Sequence, residues 1–180
     1  MHLDLPIETS PLRLRPLALA DLPAVHALDA DPAVVRWLYD DPRSLGESRR
    51  ALQRRLDRNP ETGLTLAVET LGEAAFAGHV GLTVSSQHRQ GEIGFIFSPA
   101  HQGKGYATEA ARAMLRLAFT AYGLHRVVGR AEARNVASAR VLEKLGMRRE
   151  ALLIENEWVK GEWQSEVIYA MLDREFLTRP

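Results

Sequence analysis

The chain has 180 residues, 46% of them hydrophobic and 26% charged, and a formal net charge of +0. That length and balance suit one folded domain over residues 1–180, and the neutral charge gives no global attraction to nucleic acid or a membrane surface. Cysteine is absent, which excludes disulfides, thiolate metal sites and a cysteine nucleophile.

The opening MHLDLPIETS lacks the basic start and apolar run of a signal peptide. No apolar stretch approaches the roughly 20 residues that span a bilayer, so a cytoplasmic location is expected. PLRLRPLA alternates Leu12 and Leu14 with Arg13 and Arg15 and reads as a half-buried strand. Asp21 is placed to cap a first helix carrying Val25 and Leu28. Ser44 and Glu47 have capping-box spacing and open a second helix with Leu45, Leu52 and Leu56 on one face. Three strands joined by short turns follow: LTLAVE (64–69), FAGHVGLTVSS (76–86) and EIGFIFS (92–98). The spacing of Ala107, Ala110, Ala111, Met114, Leu117 and Ala118 predicts a helix over 106–122, stopped by Gly123. RVVGRAEA (126–133) is a strand. Asn135 caps the next helix, which ends at Gly146, and two more strands fill 147–158 and 163–172. The order is strand, two helices, three strands, helix, strand, helix, two strands: a mixed sheet covered by helices, α/β or α+β in class.

The stretch HQGKGYATEA stands between a strand and a helix. Gly103 and Gly105 can take backbone angles closed to other residues, and the first N–H groups of the helix lack intrahelical partners. The helix dipole adds about half a positive charge there, and Lys104 adds a full one, so the loop suits phosphate. A Walker A loop is excluded because Gly105, not Ser or Thr, follows Lys104. The dinucleotide fingerprint fails because Thr108 stands where a third small residue belongs. The plain alternative is a glycine-rich turn before a helix.

The wider stretch EIGFIFSPAHQGKGYATEA resembles the acetyl-CoA-binding motif of the GNAT acetyltransferase superfamily. Its Gln/Arg-x-x-Gly-x-Gly/Ala pattern is matched by Gln102, Gly105 and Ala107. AEARNVASARVLEKLGM is similar to the superfamily's next element, a strand followed by an Asn-headed helix. QGKGYATEA, Asn135-x-x-Ser138 and EKLG together resemble the branch of the Rim-type ribosomal-protein N-terminal acetyltransferases, as do LRLRPLALADLPAV and WQSEVIYAML at the two ends.

The resemblance implies the GNAT acyl-CoA N-acyltransferase fold, a mixed, mostly antiparallel seven-stranded sheet with helices on both faces. It implies acetyl-CoA as cosubstrate and no metal. The coenzyme's pantetheine would pair with the backbone of Phe95, Ile96 and Phe97 where that strand splays from its neighbour. Its pyrophosphate would lie over Gln102, Gly103, Lys104, Gly105, Tyr106 and Ala107, with Thr108 close by. Asn135 and Ser138 would approach the pantetheine and the thioester sulfur, and Lys144 the nucleotide end unless it simply faces solvent. The implied reaction is direct attack of a primary amine on the thioester. It needs a neutral amine, a donor to the developing oxyanion and a proton for the leaving thiolate. Glu92 is the candidate base, acting through water, or else a surface carboxylate at a strand start. A lysine amine, with a pKa of about 10.4, needs that help more than an α-amine at about 7.7–8.0.

Two departures from the family pattern stand out. Leu142 occupies the place where many GNAT enzymes have a tyrosine acid, leaving Ser138 as the remaining hydroxyl and Tyr169, on the last strand, as another hydroxyl or else a core aromatic. Ser165 replaces an aspartate common in the last strand, which bears on the acceptor pocket. The six histidines, His2, His26, His79, His88, His101 and His125, show no metal-binding spacing; His79 and His101 are the two nearest the expected site. Arg49, Arg50, Arg54, Arg55 and Arg58 crowd the second helix, as a solvated face or as a basic wall attracting an acidic acceptor. Trp37 and Tyr39, between the first two helices, are the candidates for acceptor contact, or else pack at a helix end. The expected function is acetylation of a protein N-terminus or a small-molecule amine by a monomer or homodimer. The alternative is a non-catalytic acyl-CoA-binding sensor of the same fold.

Overall fold

The structure is a computed structural model that describes residues 3–85 and 88–178. The expected strand end Ser86, the turn residue Gln87 and His2 lie outside the described residues.

One sheet of eight strands organises the chain, in the order β1-β2-β3-β4-β5-β6-β8-β7. The strands are β1 (Ile7–Glu8), β2 (Leu12–Pro16), β3 (Gly63–Thr70), β4 (Phe76–Ser85), β5 (Gln90–Phe97), β6 (Arg126–Glu132), β7 (Arg148–Val159) and β8 (Glu162–Leu172). The helices are α1 (Leu22–Asp29), α2 (Pro32–Val35), α3 (Leu45–Leu56), α4 (Tyr106–Thr120), α5 (Val136–Lys144) and α6 (Asp173–Leu177). The expectation of seven strands is corrected to eight. The addition, β1, is a two-residue edge pairing of Ile7 with Leu14 and Glu8 with Arg13, too short to show a period in sequence. The short helices α2 and α6 escape the periodicity for the same reason.

Helices cover both faces. On one, Ala110, Ala111, Met114, Leu115 and Ala118 of α4 bury against Leu66, Val80, Leu82 and Ile93 of the sheet. On the other, Val25 of α1 and Leu52 of α3 close over Ala67 of β3. The two faces follow from the strand period, since Leu66 and Ala67 are neighbours pointing opposite ways.

Asp21 does not cap α1. Its buried carboxylate instead accepts hydrogen bonds from Arg15 Nη1 and Nη2 at 2.8 and 2.7 Å and from the Ala18 N–H at 2.8 Å. Ser44 and Glu47 form the expected capping box on α3, and Asn135 caps α5 by accepting from the Ser138 N–H at 3.1 Å.

The feature that makes a site lies mid-sheet. β5 and β6 run parallel and paired from Gln90–Arg126 to Ile93–Gly129, and then part. Beyond that point β5 stays on β4 as far as Phe97, while β6 stays on β8 as far as Glu132. The edge of β5 facing β6 therefore has no strand partner from Gly94 onward.

Candidate active site

Two clefts meet at this parting of the strands. One, of about 370 Å³, runs from Phe95, Ile96 and Phe97 over the loop after β5 to α5. The loop supplies Gln102, Gly103 and Gly105, and α4 supplies Tyr106, Ala107 and Thr108. Gly103 and Gly105 have φ of 73° and 85°, in the left-handed region that costs other residues steric strain. Gly105 is the N-cap of α4 and offers no side-chain cap. The first ladder bond of the helix is Glu109 N–H to the Gly105 carbonyl, so the N–H groups of Tyr106, Ala107 and Thr108 have no acceptor one turn back. These orphan donors at the positive end of a 15-residue helix suit an anion.

Side chains set the loop's shape. Gln102 Nε2 donates to the Phe97 carbonyl at 2.9 Å, and His101 Nδ1 lies 2.7 Å from Ser98 Oγ. Both contacts fasten the loop to the end of β5. Lys104 is exposed and does not line the cleft; the site residue expected to add a full charge stands to one side of the donors. Lys144 reaches the cleft's far end from α5.

The second cleft, of about 310 Å³, lies on the α3 face and is lined by residues of β3 to β6, including Thr65, His79, Thr83, Glu92 and Arg130, with Arg55 from α3. Trp37, Leu38, Phe95, Ile96, Asn135 and Ser138 line both clefts, so these residues mark where they join. Trp37, expected from the sequence to contact the acceptor, lines both clefts. Tyr39 is exposed overall and lines neither cleft; partial desolvation of its hydroxyl, with the charges of Glu157, Glu166 and Glu92, raises its phenol above the ordinary value.

Glu92 sits in the second cleft, its Oε2 3.4 Å from Arg130 Nε. Arg130 also donates from Nη1 to the buried Glu166 at 2.9 Å. Burial raises the Glu92 pKa; Arg130 opposes this and Glu166 adds to it. His79 is 6% exposed, and its burial and the charges of Arg55 and Arg43 push its pKa down to about 3, so the ring is neutral at pH 7.

Packing places the candidate hydroxyls differently. Leu142 is buried against Gly129 of β6, where a Cβ would meet Leu142 Cδ2 at 2.5 Å. Tyr169 is buried too, and its hydroxyl donates to Glu143 at 2.9 Å, away from both clefts. Ser138, which lines both, is the hydroxyl at the junction. Ser165 lies outside the clefts, accepting the Glu155 N–H at 2.9 Å. Arg130 carried no sequence signal, because its role depends on β6 pairing with β5 and β8. Among the described residues no cluster of His, Asp and Glu could hold a metal ion.

The family profile described as "Acetyltransferase (GNAT) domain" matches residues 11–148. The chain belongs to the GNAT acetyltransferase family. It is 30% identical over 170 residues to the Bacillus subtilis protein YnaD, named as an uncharacterized N-acetyltransferase, covering 94% of this chain and 98% of that one. It is 29% identical over 169 residues to the spermidine N(1)-acetyltransferase of Escherichia coli K12, covering 92% and 88%. A GNAT-family acetyltransferase structure from Bacillus anthracis superposes with a TM-score of 0.87 at 30% identity, covering 95% of this chain and all of that one. Spermidine N-acetyltransferase from Vibrio cholerae, solved with CoA and spermine, superposes with a TM-score of 0.84 at 26% identity over 94% of this chain. This GNAT chain is an N-acetyltransferase by family, with the family's mixed sheet between helices; the two relatives above that are named for a substrate are spermidine acetyltransferases, and none of those above is named as of the Rim-type branch.

Proposed function

We propose that this chain transfers the acetyl group of acetyl-CoA to a primary amine by direct attack on the thioester. The observation that carries this reading is the parting of β5 from β6 after Ile93–Gly129, continuous with the left-handed glycine loop and the uncapped start of α4. The strand edge suits an extended arm with alternating amide groups, and the loop suits a diphosphate.

When bound, acetyl-CoA supplies an activated acetyl group as a thioester. The residues that would hold it are the backbone from Phe95 to Phe97, the loop glycines and the N–H groups of residues 106–108. Asn135 Oδ1 is committed to its helix cap, leaving the side-chain amide nitrogen as a donor toward the junction. A β5 N–H left unpaired by the parting would stabilise negative charge on the carbonyl oxygen. Glu92 would take the amine proton through water, its basicity raised by burial and restrained by Arg130. Ser138 would donate a hydrogen bond to the departing sulfur. The acceptor enters by the second cleft, past Trp37.

The acceptor is a protein N-terminus or a small-molecule amine. Resemblance to the Rim-type branch supports the first, and the spermidine-acetylating relatives support a small molecule. The test is release of free thiol from acetyl-CoA across an amine panel, with the acetylated product identified by mass. Calorimetry showing no saturable acetyl-CoA binding would overturn the coenzyme assignment. Binding without thiol release from any amine would leave a non-catalytic acyl-CoA sensor.

A further inference from the structure

The second cleft contains two polar atoms that the protein does not satisfy. Arg55 Nη1 and His79 Nε2 are each buried without a hydrogen-bond partner among the described residues. The other guanidiniums lining this cleft, Arg58 and Arg130, are engaged, as are Arg43 and Arg134. Arg43 lies on Asp29 at 3.2 Å and Asp40 at 2.6 Å, and Arg58 Nη1 donates to Thr83 Oγ1 at 3.2 Å. Arg130 is shared by Glu92 and Glu166, and Arg134 lies on Glu132 and Glu162. Asp29, whose charge acts on Arg55, is itself held by Arg43. Folded proteins rarely leave a buried donor unused, and an exception calls for a partner such as water, an ion or a ligand.

The sheet explains why these atoms share a cavity. His79, Gly81 and Thr83 alternate along β4 and lie opposite Ile96, Gly94 and Glu92 of β5. All six therefore share one face, roofed by Arg55 on α3. Its floor is the Gly81–Gly94 pair, and a Cβ added at Gly94 would meet nothing within 4 Å. His79 stands one strand, about 4.8 Å, from Ile96, a residue at the junction with the coenzyme cleft.

Building on the acetyltransferase reading, we propose that the acceptor carries a carboxylate a few atoms from its primary amine, received by Arg55 Nη1–H and by His79 as its Nε2–H tautomer. A carboxylate has lone pairs for both donors and takes a charge-assisted hydrogen bond from the guanidinium beside a neutral one from the imidazole N–H. A polyamine would instead bring further cations to a wall already holding Arg55 and Arg58. The chain thus departs in acceptor class from the relatives named as spermidine acetyltransferases.

The test compares matched pairs on CoA-saturated protein. Calorimetry measures glycine, β-alanine, 4-aminobutanoate and 6-aminohexanoate against the corresponding amides, and against spermidine. The expected result is at least tenfold tighter binding of one of the shorter acids than of its amide. Arg55→Met, which keeps the apolar stem packed on the helix, should abolish that preference, and Arg55→Lys should retain part of it. Wild-type protein labelled with ¹⁵N should show the His79 Nε2 resonance moving with the acid and not with the amide, a readout that survives if the variants fail to fold. Equal binding of acid and amide at every length, spermidine binding tighter than all the acids, or a preference unchanged in Arg55→Met would overturn the proposal. A melting-temperature loss in Arg55→Met with preference intact would make Arg55 a packing residue and overturn it equally. If the acid preference holds but no amine releases thiol, the carboxylate site stands and the catalytic reading falls.

Discussion

Glu92 on β5 and Glu166 on β8 share one cation: Arg130, between them on β6, approaches the first at 3.4 Å and the second at 2.9 Å. Glu166 is buried and needs the charge, whereas Glu92 has a half-exposed side chain at the rim of the cleft. Arg130 therefore restrains a carboxylate whose basicity burial has raised. A base placed this way matters most when the amine is protonated. Glu92→Gln should lower kcat/KM at pH 7 by about 10²-fold or more, within the range for general-base loss. The deficit should shrink as pH rises toward the amine's own pKa. A pH series of thiol release on both proteins measures it, and a deficit constant across pH would remove Glu92 as the base.

Removing the shared cation tests the same relationship from the other side. Arg130 lowers the Glu92 pKa, so Arg130→Met should raise it. The acid limb of the kcat/KM profile should then move to higher pH. Glu166 would lose its ion pair; because Arg130 is 42% exposed the cost should be about 1–2 kcal/mol, below the roughly 3–5 of a fully buried pair, and the melting temperature should fall accordingly. The double variant Arg130→Met with Glu166→Leu should recover most of the stability and keep the shifted limb. Recovery of both together would mean that Arg130 has no electrostatic role at Glu92.

How much of this was legible in the sequence depended on how local the physics was. Alternation of Leu12 with Arg13, the Ser44–Glu47 box and the Asn135 cap are decided within a few residues, and each stands where the pattern placed it. The glycine loop was legible because φ above zero is a property of single positions. Asp21 was misread: local spacing favoured a cap, but Arg15 on β2 offered a stronger partner. Neither Tyr39 nor Lys104 lines a cleft, although the charges of Glu92 and Arg130 act on the Tyr39 phenol, and spacing along a short irregular segment does not encode that placement. Arg55 was visible only as one of five arginines crowding a helix. Its distinction, burial without a partner, comes from the packing of α3 over β4.

Gly105 separates conformational cost from charge at the loop. A Cβ there would meet nothing within 4 Å, so Gly105→Ala carries only the backbone penalty of φ 85°, about 1 kcal/mol or a little more. Gly105→Asp adds a negative charge among the donors at the start of α4. Both variants should lose similar stability by thermal melting. Acetyl-CoA affinity should fall severalfold in the first and by at least a further tenfold in the second, an excess diminished by added salt. Equal affinities for the two variants by calorimetry would show that no anion is received there.

The Arg15–Asp21–Glu69 cluster should set the acid stability of the N-terminal strand and α1. Burial alone would raise the Asp21 pKa, but hydrogen bonds from Arg15 and the Ala18 N–H outweigh it and leave the value lowered. A carboxylate with a depressed folded pKa contributes stability above its unfolded value, about 3.9, and loses that contribution as pH falls through the folded value. Asp21→Asn keeps the shape and removes the charge, leaving Arg15 with Glu69 at 2.6 Å. At pH 7 the variant should be destabilised by about 2–3 kcal/mol, less than a fully buried pair would cost because Arg15 is a quarter exposed. The gap between the two proteins in urea melts should narrow as pH falls below about 4, the unfolded carboxylate value, and through the lowered folded value at which wild-type Asp21 takes up its proton. A gap that stays constant over that interval would mean that the carboxylate's charge contributes nothing and that its hydrogen-bond geometry alone holds β2 to α1.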